Sequence, residues 1–129
     1  MKLRAHKEGL GLRATIAAVL DKDTLVKITA DKTVNKAGSA NDFHIGRLSV
    51  PAKAASGVGT VECRFKELIE IKGSGALSAG AIVKLAAADG TTGENRAVAW
   101  VSGTDVWERA FGVVWKGAAD GGTLEVLTF

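Results

Sequence analysis

Three short blocks of this chain recur in the same order, and that recurrence constrains the fold more than any single residue does. Residues 25–29 read LVKIT and residues 82–86 read IVKLA, each an apolar run with lysine in third place. Residues 43–50 (FHIGRLSV) match residues 109–116 (RAFGVVWK), each with an apolar residue before a glycine, Ile45–Gly46 and Phe111–Gly112. Residues 59–65 (GTVECRF) match the closing stretch GTLEVLTF. Blocks repeated in register are the signature of a duplicated supersecondary unit. The units span residues 21–66 and 78–129, with a longer insertion between the first two blocks of the second half.

Each block is strand-like. Sixteen glycines, one proline and a wealth of Val, Ile, Leu, Thr and Ala favour short strands joined by glycine turns. Strands are expected near 24–30, 43–49, 59–66, 68–72, 81–87, 97–102, 110–116 and 123–129. About eight short strands with turns between them read as an all-β fold, a single-domain β-sandwich or barrel over residues 14–129. Period-two alternation assigns the faces. Val61, Cys63 and Phe65 share one side of their strand, and Glu62 and Arg64 the other. Val98 with Trp100, and Phe111 with Val113 and Trp115, are expected in the core. In the last strand Leu124 and Val126 oppose Glu125, while Leu127 and Phe129 fall on the Glu125 side, so its end is expected to be buried on both faces. Residues 13–21 (RATIAAVLD) read either as a turn or two of helix or as a further strand.

A chain of 129 residues buries enough surface to fold without a disulfide or metal. Cys63 is alone, so no internal disulfide is expected. The first ten residues, MKLRAHKEGL, lack the apolar stretch of a secretory signal, and no apolar run approaches the ~18 residues of a membrane span. The formal charge is +3, with Lys2, Arg4, Lys7 and Arg13 facing only Glu8 in the first thirteen positions. That spacing lacks the dense basic stripe with interleaved aromatics of a nucleic-acid binder. Residues 1–13 read instead as an extended N-terminal arm, with Leu3, Leu10 and Leu12 as its apolar anchors.

No motif carries catalysis. GLGLRA (9–14) satisfies G-x-G-x-x-A, but the fingerprint needs a buried strand before it and a helix after it. DKDT (21–24) begins like an EF-hand loop, yet Val26 and Lys32 stand where glycine and glutamate are required. Cys63 with His44 is a conceivable thiol–imidazole pair, but the inward alternation of Cys63 makes it a core residue. His6 and His44 are too few for a zinc site. No catalytic residue, cofactor or metal is expected. Trp107, in SGTDVWERA, is either an exposed anchor for a protein or sugar, or a loop residue folded back on the core.

The run GSGALSAGAIVKLAAADG, followed by AVAW, AFGVVWKGA and GGTLEVL, resembles the small capsid decoration, or cement, proteins of tailed bacteriophages. The likeness lies mainly in the second half, with DTLVKITADKTV and IGRLSVPA as fainter counterparts in the first. The basic arm and GLGLRA fall outside the pattern. The resemblance implies a protein on the capsid exterior of the virion, made in the host cytoplasm. It would clamp neighbouring subunits of the major capsid protein against internal DNA pressure, as a dimer or trimer, with edge strands available to extend a neighbour's sheet. It implies no catalysis, no specific nucleic acid and no membrane. The contact residues would be Lys2, Leu3, Arg4, Lys7, Leu10, Leu12, Arg13 and Trp107. The alternative is a nucleic-acid- or carbohydrate-binding β-barrel module using the arm and Trp107. Deleting residues 1–12 is accordingly expected to spare the fold and to weaken capsid binding sharply, measured by thermal melting and by cosedimentation with capsids.

Overall fold

The computed structural model describes residues 11–40, 42–63 and 67–129. Ten strands run in chain order: β1 (Gly11–Ile16), β2 (Leu25–Ala30), β3 (Thr33–Lys36), β4 (Gly46–Leu48), β5 (Gly57–Cys63), β6 (Leu68–Gly73), β7 (Ile82–Leu85), β8 (Arg96–Ala99), β9 (Ala110–Lys116) and β10 (Thr123–Thr128). The fold is all-β, as the composition requires. The strands do not join one sheet. The chain splits into two compact units, and each holds its own closed five-stranded barrel.

The barrels have the same plan. The first closes in the order β1-β3-β2-β4-β5 and the second in the order β6-β8-β7-β9-β10. The seams match in sense as well. β1 pairs parallel with β3, and β6 with β8, while every other seam is antiparallel. An isolated bridge, Leu20 to Ala52 and Leu77 to Ala118, occurs at the same point of each. Two expected features shift. β3 was absent from the expected strands and turns out to form a tight hairpin with β2, with Lys32 in the left-handed region (φ 52°). Residues 11–13, assigned to the arm, are the first three residues of β1 and pair with β5. That strand also settles residues 13–21 as β structure at their start, and removes the helix that the GLGLRA motif needs.

Five core positions correspond, whereas Leu85, fully buried in the second barrel, has the 64% exposed Ile28 at its place in the first. The first holds Ala14, Ile16, Val26, Val34, Leu48 and Val61. At matching ladder positions the second holds Ile71, Val83, Ala97, Val114 and Val126. The remaining place is filled from opposite strands. In the first barrel Ile16 of β1 lies against Gly59 of β5, whose added Cβ would sit 3.0 Å from its Cγ1. In the second, glycine is on β6 (Gly73) and the large residue on β10 (Leu124), 3.3 Å from the same construction. One bulky side chain is needed there, and either strand can supply it.

This exchange exposes a slip in the sequence match of GTVE with GTLE. Gly46 pairs with Cys63 and Gly112 with Thr128, so the ladders equate Cys63 with Thr128, two residues from the sequence match. A two-residue slip keeps every side chain on its own face, so alternation does not reveal it. Gly46 and Gly112 themselves are equivalent, each opposite a core valine of the neighbouring strand, Val26 of β2 or Val83 of β7. Phe65, expected to match Phe129, lies outside the described residues.

Three expectations fail in the second half, the first of them because of bulges. β9 carries one extra residue at Phe111, between the pairs Val83–Gly112 and Lys84–Ala110, and another at Trp115, between Val114 and Lys116. The first lets both Phe111 and Val114 face inward and turns Val113 and Trp115, expected in the core, to the outer side, where Trp115 is 64% exposed, and the second keeps Lys116 exposed as well. On β8 the inward residue is Ala97, with Val98 and Trp100 only half-buried. Leu127 and Phe129 stay on the outer side of β10 and are 42% and 44% exposed, so the strand is not buried on both faces. Its inward neighbour Thr128 is buried with its hydroxyl satisfied, accepting from Glu67 N at 2.9 Å and donating to Glu67 O at 3.2 Å. Cys63 is buried as alternation requires, and burial, then Glu62, pushes its thiol pKa up.

Gly46 and Gly112 mark where a neighbouring strand leaves no room for a side chain. A Cβ on Gly46 would collide with the Glu62 carbonyl oxygen, and one on Gly112 would lie 2.5 Å from Val126 Cγ1 and 2.6 Å from Leu127 O. Gly46→Ala and Gly112→Ala should each destabilise their own barrel by roughly 2–3 kcal/mol, the upper range for overpacking against backbone. Urea unfolding of the two variants tests this, and wild-type midpoints would refute it.

Candidate functional site

The second barrel differs from the first at the connection into its fourth strand. Val34 precedes Gly46 by 12 positions, whereas its equivalent Ala97 precedes Gly112 by 15. The longer connection makes room for a 3-10 turn, Trp107–Arg109, directly before β9.

Asp105 organises this connection. Its carboxylate accepts from Val101 N at 2.7 Å and from the Lys84 ammonium on β7, and its own N–H donates to Val101 O at 2.9 Å. Gly103, at φ 81°, permits the tight turn between them. The Lys84 and Asp105 side chains are largely buried, so each needs the other as a charge partner. Lys84 is the repeated lysine of the first sequence block, and its role here could not be read from the block alone. The Lys84 hydrogen bond, then the Val101 N–H, then the lysine charge hold the Asp105 carboxyl below the usual aspartate range.

The turn so fixed presents aromatic rings. Trp100 N donates to Ile82 O at 2.8 Å, and its indole Nε1 donates to Val106 O at 2.9 Å. Trp107 meets Trp100 edge-on at 5.3 Å and stacks on Phe129 at 5.4 Å with 12° between planes. Phe129 is tied to β9 through its N–H to Phe111 O at 3.0 Å. Trp107 nevertheless stays 55% exposed. The ring is thus braced against the barrel while about half of it remains exposed. Rigid aromatic surface of this kind loses little conformational entropy on binding.

Of the other expected contact residues, Lys2, Leu3, Arg4, Lys7 and Leu10 lie outside the described residues. Leu12 and Arg13 are exposed at the start of β1. Sequence reasoning missed Phe129 and Trp100 as partners of Trp107, and missed the exposed leucines Leu68 and Leu127 that face each other across β6 and β10. Alternation did place Leu127 and Phe129 on one side of β10, which was the available signal. Among the described residues, no group of three or more His, Cys, Asp or Glu is placed to hold a metal ion, and no helix is long and apolar enough to cross a membrane.

No family model and no curated protein sequence matches the chain. Among solved structures it is similar to the head fiber gp8.5 N base in bacteriophage phi29, with a TM-score of 0.58 over 93% of each chain at 14% sequence identity. The likeness is one of fold.

A depressed Asp105 pKa means that folding is favoured while this carboxylate is ionised. Its contribution is complete above the unfolded aspartate pKa of about 3.9 and is lost as pH falls through the lower folded value. Asp105→Asn should therefore melt below wild type at pH 7, and the difference should shrink as pH drops below about 4. Melting curves followed by tryptophan fluorescence across that range check this, and a pH-independent difference would refute it.

Proposed function

We propose that this chain is a structural protein of a phage head that binds the outer surface of the assembled shell and reinforces contacts between major capsid protein subunits. The observation that carries the reading is the fold likeness to the head fiber gp8.5 N base in bacteriophage phi29, which extends over 93% of both chains. The sequence likeness to capsid decoration proteins points the same way from separate evidence. The architecture suits the task. Closed barrels are rigid, and a braced aromatic such as Trp107 supplies contact area with no moving part. Repetition over a lattice converts modest single contacts into lasting attachment. The role is structural rather than catalytic, its partner is the capsid, and its place is the virion exterior.

The N-terminal residues contribute by charge and by their leucines. Individual exposed ion pairs are worth only about 0–1 kcal/mol, so the arm acts through many copies at once. Because Leu12 pairs with Val61, the informative deletion stops at residue 10 rather than 12.

Electron microscopy of the protein mixed with expanded, DNA-free heads tests the reading. Regular outer density is expected, and it should fade when residues 1–10 are removed while the melting temperature holds. Bare heads at saturating protein would overturn the proposal. Binding that resides only in free DNA and falls steeply with salt would favour a nucleic-acid module instead.

A further inference from the structure

The two barrels provide an internal control for what their outer faces need. On the second barrel, Leu68 of β6, Leu127 of β10 and Val113 of β9 stand side by side on one row of the ladder. Leu68 is 54% exposed, and this face continues along β10 to Phe129, which stacks on Trp107. The same row on the first barrel is Gly11, Glu62 and Arg47, joined by identical pairings. Arg47 there also bonds Asp23 at 2.9 Å, as an ordinary solvated surface does. A fourth position is apolar in both, Leu25 and Ile82, so the difference lies in the other three. The fold thus closes equally well with a charged row. The apolar row of the second barrel is not required for closure, and an exposed contiguous apolar face of this kind marks an interaction surface.

The charges beside the row indicate what covers it. In the adjacent row Glu70 directly faces Glu125, which faces Lys116, and Lys72 lies one step further along β6. Opposed carboxylates cost stability within one chain. Two glutamates and two lysines flank the same apolar strip, so the strip has no net charge and is complementary to itself. A two-fold pairing puts each patch on its own copy, residue i on j and j on i, and can set lysines of one chain over glutamates of the other. We propose that a second copy of this chain docks on this face, forming a two-fold dimer through Leu68, Leu127, Val113 and Phe129, with Glu70 and Glu125 met by Lys72 and Lys116 of the second copy.

Sedimentation equilibrium of the full chain from about 1 μM to about 500 μM should show reversible dimerisation. Leu127→Glu and Leu68→Lys, both at exposed positions, should remain folded by circular dichroism and weaken the dimer by about tenfold or more. Val58→Glu, at an exposed apolar site of the first barrel, should leave it unchanged. Chains carrying Glu70→Lys with Glu125→Lys, and chains carrying Lys72→Glu with Lys116→Glu, should each lose self-association and pair with one another when mixed. A wild-type chain that stays monomeric throughout, an unaltered dimer in both leucine variants, or a mixture that fails to pair overturns the proposal. A monomeric wild type whose Leu127→Glu variant no longer binds capsids would assign the face to the shell, refuting the dimer while leaving the capsid reading intact.

Discussion

Closure of each barrel depends on a strand crossing so tight that one position has no space for a side chain. At Gly46 and Gly112 the backbone of the last strand runs where a Cβ would be, and the rest of the ladder takes its register from that approach. Once the glycine is seated, the preceding core valine and the following Leu48 or Val114 are directed inward by alternation. The last strand is then held on both sides, and the barrel has no remaining freedom to slide. A missing side chain is here as specific as a large one. It explains why the glycine recurs in both halves while the residues around it drift from Arg47 to Val113 and from Cys63 to Thr128.

Much of this was legible. The glycine equivalence, the paired lysines and the inward run Val61, Cys63 came directly from repeated blocks and alternation. Three kinds of information were hidden. The bulge at Phe111 shifts the parity of β9, and nothing local in RAFGVVWK announces it, so alternation alone puts Val113 and Trp115 inside. The exchange between Ile16–Gly59 and Gly73–Leu124 is a property of two strands together, invisible when each is read alone. The division into two barrels escaped because the parallel seams, β1 with β3 and β6 with β8, join residues distant in sequence through only two paired positions each. For the site, Trp107 was singled out by its place between strands. Its partners Trp100 and Phe129 come from other parts of the chain, and only the closed barrel brings them together.

Duplication followed by divergence gives the molecule a division of labour. Most interior positions keep their character, while the outer row Gly11, Glu62 and Arg47 of the first barrel is replaced by Leu68, Leu127 and Val113 in the second. The three extra residues before β9 reinforce the difference, since they create the 3-10 turn that carries Trp107 outward. The buried Lys84–Asp105 pair holds that connection in place. Such a pair is poor value for stability against an apolar alternative, but it fixes one geometry for the turn.

Among the described residues both sheets close into rings, so most strand backbone finds its partner within its own barrel, and the parallel seams, joined at two positions each, are the thin places. Ring closure favours attachment through side chains over strand addition by main-chain hydrogen bonds. Backbone pairing is indifferent to the identity of the strand it captures, and at high density it seeds fibres. Rings of paired strands leave little backbone open to such capture, which limits polymerisation along the chain's own strands.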